Sequence, residues 1–93
     1  MKSIFVFIAP YEEMAVMAEE VARELKLDGW VFDVGYGESG LQLAERYYEQ
    51  GAKLIVSRNM TALAISRHLS IPVIDLSASP YDIVKGLSHA RKF

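Results

Sequence analysis

Ile4-Phe5-Val6-Phe7-Ile8 is an unbroken apolar run closed by Ala9-Pro10. That is the pattern of a strand buried on both faces, and it predicts the first, central strand over residues 4–8. Met14, Met17, Ala18, Val21, Ala22 and Leu25 then recur at three- and four-residue spacing, with Glu and Arg between them, up to Asp28-Gly29. This predicts an amphipathic helix that starts near Pro10. Trp30-Val31-Phe32-Asp33-Val34 predicts the second strand, and Leu41, Ala44 and Tyr47 or Tyr48 the inner face of a helix over 41–50. Gly51 ends that helix. Residues 53–56 and 72–76 predict the third and fourth strands, residues 61–69 and 81–92 the third and fourth helices. Strands alternating with helices imply right-handed crossovers. The expected fold is α/β: a three-layer, flavodoxin-like lobe with a four-stranded parallel sheet in the order 2-1-3-4 and helices on both faces.

Length confines this pattern to one domain, since 93 residues leave little room for a second module. The net charge of −2 exerts no bulk pull on nucleic acid or anionic membrane. Without cysteine there is no disulfide, thiolate chemistry or sulfur-based zinc site. The opening MKSIFVFIAPYEE lacks a signal-peptide cleavage pattern, and no apolar stretch reaches membrane-span length. The expectation is a cytoplasmic protein with no membrane partner and no cofactor.

In open parallel sheets ligands bind where the strands end. The most informative strand end is Ser57-Arg58-Asn59-Met60-Thr61, where a polar turn feeds a helix and presents hydroxyls, N–H groups and a guanidinium to one small volume. Two readings stand there: Ser57, Arg58, Asn59 and Thr61 hold an anion, or Asn59 or Thr61 caps the helix and Arg58 is solvated. At the neighbouring strand end Ser79 and Tyr81 line the same edge, although Ser79-Pro80-x-Asp82 is also an ordinary helix start. Pro10 and Tyr11, after the first strand, complete the candidate ligand-binding set.

Gly35-x-Gly37-x-x-Gly40 matches a dinucleotide-loop spacing, but it follows the second strand and no acidic residue stands about 20 positions further on. A flexible turn is expected instead. His68 and His89 lie on different helices without metal-ligand spacing, so no metal site is expected. Asp33 and Asp75 lie near strand ends, but nothing places them within reach of a common substrate atom. With no nucleophile–base set legible, the chain is not expected to be an enzyme.

The ordered series Gly51-Ala52-Lys53-Leu54-Ile55-Val56-Ser57-Arg58, Thr61-Ala62, Ser70-Ile71-Pro72-Val73-Ile74-Asp75-Leu76, Ser79-x-Tyr81-Asp82-Ile83-Val84 and Ala90-Arg91-Lys92 resembles the amino-terminal receptor domain of PrpR-type propionate-catabolism activators, which are sigma-54-dependent transcriptional regulators. The opening Ile8-Ala9-Pro10-Tyr11-Glu12-Glu13 is similar too, so the likeness runs the whole chain, densely from Gly51 and loosely over 27–50. The resemblance implies a two-lobed sensor of a small carboxylate such as 2-methylcitrate, controlling an ATPase and DNA-binding machinery located elsewhere. Residues 1–93 would be the first lobe, either a truncated piece or a stand-alone relative that pairs with another copy. DNA would be contacted only through a separate domain, and a homodimer is expected. One departure is Asn59-Met60, where the family commonly has glycines. Asn tolerates a left-handed backbone and Met does so poorly, so the pocket is expected to be altered. The alternative function is a ligand-free flavodoxin-like interaction or dimerisation module.

Overall fold

The structure is a computed structural model and describes residues 4–76. Its elements are β1 (Ile4–Ala9), α1 (Glu12–Glu24), β2 (Trp30–Val34), α2 (Glu38–Glu49), β3 (Ala52–Ser57), α3 (Asn59–His68) and β4 (Val73–Asp75). The four strands form one sheet in the order β2-β1-β3-β4. All three pairings are parallel. This is the flavodoxin-like α/β arrangement that the alternating pattern predicts. The expected helix over 81–92 lies outside the described residues.

β1 and β3 take the centre, where a strand has no solvent face. Val6, Phe7, Ile8 and Ala9 of β1 and Leu54, Ile55 and Val56 of β3 are all buried. Side chains alternate between two cores. One contains Phe7, Ala9, Val56 and Leu76 with Met14, Ala15, Ala18 and Ala22 of α1. The other contains Val6, Ile8 and Ile55 with Ala44 of α2 and Ile65 of α3. Among the described residues one helix therefore covers the first face and two cover the second. The register of β1 on β3 shifts after Ile4↔Ala52, so that Phe5 meets Leu54 and Lys53 is the extra residue. That shift leaves Lys53 exposed while both of its neighbours stay buried.

Two helix starts differ from the sequence expectation, and both lie at the strand-end edge. α2 begins at Glu38, not Leu41, because Gly37 turns the chain with φ +57° and ψ −123° and its carbonyl accepts the Leu41 N–H at 3.0 Å. An L-residue rarely adopts that conformation. α3 begins at Asn59, not Thr61. Asn59 itself is left-handed, with φ +51°. Met60 is not among the left-handed residues, so the expected backbone conflict at Met60 does not arise.

Candidate functional site

The strand ends gather the β1–α1, β2–α2 and β3–α3 turns and Asp75 along one edge of the sheet. Ser57, the last residue of β3, is buried, and its hydroxyl donates to the Ile8 carbonyl at 3.0 Å. The proton of this side chain is thus used to tie β3 to β1. Arg58 follows in extended conformation as the residue preceding α3, with no side-chain cap on the helix. It is half-buried, and its Nε is buried without a hydrogen-bond partner among the described residues. A buried guanidinium nitrogen is ordinarily paired with an acceptor.

Neither Asn59 nor Thr61 caps α3 with its side chain. The Asn59 N–H donates to Asp75 Oδ1 at 2.7 Å, so a carboxylate from the end of β4 already sits at the positive end of α3. Thr61 is buried at 3% exposure, and its hydroxyl accepts the Gly37 N–H at 2.9 Å. Its methyl lies where a Cβ on Gly40 would come, at 2.5 Å. A Cβ on Gly35 would in turn meet the Gly40 Cα at 2.8 Å. Gly35, Gly37 and Gly40 therefore lock the β2–α2 turn against the start of α3. The glycine spacing serves close backbone packing, and the turn is tight rather than flexible.

Pro10 is half-buried and Tyr11, which precedes α1, is exposed. Met60 projects into solvent at 67% exposure. Ser79 and Tyr81 lie outside the described residues. Asp33 accepts the Tyr47 hydroxyl at 2.8 Å and the Val34 N–H at 2.8 Å. Asp33 and Asp75 stand on β2 and β4, at opposite margins of the sheet and about 14 Å apart by strand spacing alone. They form no catalytic pair. His68 is an exposed residue of α3 whose Nδ1 lies 2.8 Å from the Ala64 carbonyl. Among the described residues no group of three acidic or His side chains could hold a metal.

Two features were not anticipated. Asp75 acts as the acceptor at the start of α3, a role foreshadowed only by an acid at the end of a neighbouring strand. A cleft of about 240 Å³, lined by Ala62, Leu63, Ser66, Val73 and Asp75, opens between α3 and β4. It places apolar walls next to the Asp75 carboxylate.

A sequence model of the propionate catabolism activator family matches residues 31–93, or 63 of the 93 positions. The match starts at β2, so β1 and α1 lie before it, although the resemblance drawn from the sequence extends to them. No curated protein and no solved structure matches the chain.

Proposed function

Because the chain belongs to the propionate catabolism activator family, we propose that it is the ligand-sensing lobe of a transcriptional regulator, with a small carboxylate as its ligand. That family is one of regulatory domains rather than enzymes. The lobe acts without turnover, in the cytoplasm, and signals to sigma-54-dependent machinery and to DNA through other domains or partners. It corresponds to the first of two lobes and closes its cleft with a second lobe or another copy.

The observation that carries this reading is Arg58, half-buried beside the first turn of α3, whose guanidinium has an Nε without an acceptor among the described residues. A carboxylate entering there meets the guanidinium and the N–H groups of Met60 and Thr61, which have no intrahelical carbonyl to bond. Asp75 acts as an internal competitor, since it holds the adjacent Asn59 N–H. Pro10 and Tyr11 bound the cleft from the β1 side, and Ser79 and Tyr81, outside the described residues, are proposed as further ligand contacts. Ser57 and Thr61 shape the wall through their own internal bonds.

Calorimetry with small mono-, di- and tricarboxylates tests the reading. Arg58→Ala should weaken binding by about tenfold or more, the loss of one charge-assisted bond. Asp75→Asn should strengthen it, because a neutral side chain competes less well for the helix start. Equal binding by wild type and Arg58→Ala would remove Arg58 from the site.

One observation favours a second reading, an interaction module without a ligand. The carboxylate site at α3 is already filled from within, and the Ser57 and Thr61 hydroxyls are engaged. On that reading no carboxylate binds, and light scattering shows an oligomer that no metabolite perturbs.

A further inference from the structure

Among the described residues β2 forms one margin of the sheet and pairs only with β1. Gly29 gives its carbonyl to the Phe5 N–H, and Gly35 gives its N–H to the Ala9 carbonyl. Polar groups alternate sides along a strand, so the odd residues of β2 face β1 and those of Trp30, Phe32 and Val34 face outward. Natural edge strands are usually blunted by Lys, Pro, a bulge or an inward charge. Trp30-Val31-Phe32-Asp33-Val34 contains no Lys or Pro, and its pairing to β1 is free of bulges. Its single charge, Asp33, is turned to the α2 side and bound by Tyr47. Only the Val34 N–H has a local acceptor, Asp33 Oδ1. The outward groups of Trp30 and Phe32 are left as a pairing template.

We propose that this margin is a self-pairing surface, on which a second copy of the chain adds its own β2 antiparallel about a twofold axis at Phe32, continuing one sheet through both copies. The register follows from the outward groups. Phe32 opposes the second copy's Phe32, and Trp30 opposes the second copy's Val34, so that every outward residue meets an outward residue. Directly opposed side chains lie on one face of the sheet. Trp30, Phe32 and Val34 thus form a continuous apolar ladder with their counterparts, extending the aromatic stacking of Trp30 on Phe32.

The two ends of the strand are complementary in shape. At its start a cleft of about 490 Å³ is lined by the apolar Ala22, Leu27, Trp30 and Phe32 together with charged residues of both signs, Glu19, Arg23, Lys26 and Asp28. At its far end Val34 and Tyr36 are exposed at 40% and 68%. Twofold antiparallel pairing delivers the second copy's Val34 and Tyr36 to that cleft, and the reverse. A five-residue edge buries less than the about 800 Å² per partner of a standard interface. The association is therefore expected to be weak and reversible. It is independent of ligand sensing, since Arg58 lies two strands away.

Sedimentation of the 93-residue chain from about 1 to about 500 µM, the range of weak complexes, tests the proposal. A reversible dimer is expected, with the amides of Trp30 and Phe32 gaining protection from hydrogen exchange as concentration rises. Val34→Lys should raise the dissociation constant at least about tenfold. Val16→Lys, the same substitution at an exposed position of α1, should leave it unchanged. Circular dichroism verifies folding, and Tyr36→Lys decides the matter if Val34→Lys does not fold. A monomer throughout the range, a dimer indifferent to the β2 variants, or protection that rises elsewhere and not at Trp30 and Phe32 overturns the proposal.

Discussion

Gly40 lies inside α2, where glycine ordinarily costs about 1 kcal/mol relative to alanine. Here the sign should reverse, because an added Cβ meets the Thr61 methyl carbon at 2.5 Å and the Gly35 carbonyl oxygen at 3.2 Å. Thr61 is buried and its hydroxyl holds the Gly37 N–H, so it has little room to move. Gly40→Ala is expected to destabilise the fold by about 1–3 kcal/mol in urea denaturation, the usual cost of overpacking. Combining it with Thr61→Ser, which keeps the hydroxyl and deletes the methyl, should recover much of the loss. A double variant as unstable as the sum of its parts would show that the methyl is not the obstacle. Asn59 makes a matching case for conformation. With φ +51° it already occupies the left-handed region, so Asn59→Gly should be close to neutral. Asn59→Ala should cost about 1–2 kcal/mol by the same denaturation. The chain thus holds a left-handed backbone at Asn59 while carrying a side chain there.

At the scale of elements, the sheet order was legible because strands alternate with helices, which implies parallel pairing through right-handed crossovers, and because β1 is an unbroken apolar run that suits a central strand. The stop of α2 was legible too, since Gly51 is a conventional helix end. The start of α2 was not, because Gly35-x-Gly37-x-x-Gly40 resembles a loop until Thr61, 24 residues after Gly37, is brought against it. Arg58 and Asp75 carry the same lesson: one residue's unmet bond and the other's bond to α3 depend on neighbours from different elements. A further link between elements, Tyr47 of α2 donating to Asp33 of β2, predicts a pH dependence. Burial, and then the hydrogen bond to the Asp33 carboxylate, raise the Tyr47 pKa above the ordinary value of 10.0. The folded state therefore holds the phenolic proton more tightly than the unfolded state does. That contribution is complete below the unfolded value and is lost as pH rises through the folded one. Stability should fall above pH 10 through this group, and Tyr47→Phe should flatten that part of the alkaline slope in denaturation measured at stepped pH.

For the whole molecule, the decisive property is how much a ligand can stabilise so small a lobe. Stabilisation by a ligand that binds only the folded state grows as the logarithm of its concentration over its dissociation constant, reaching about 1.4 kcal/mol at tenfold excess. In a domain of this size that amounts to a rise in melting temperature on the order of 6–10 °C. A single charge-assisted contact at Arg58 gives weak affinity, so carboxylate at millimolar concentration is required. A thermal melt with each candidate carboxylate should show the rise for the native ligand and not for its uncharged amide. Arg58→Ala should abolish most of it, while Val34→Lys at the distant β2 margin should leave the shift intact. This last comparison separates the two surfaces: a shift that disappears with Val34→Lys would mean that the ligand is bound by the assembled pair of copies, with its cleft completed across them, and not by one lobe.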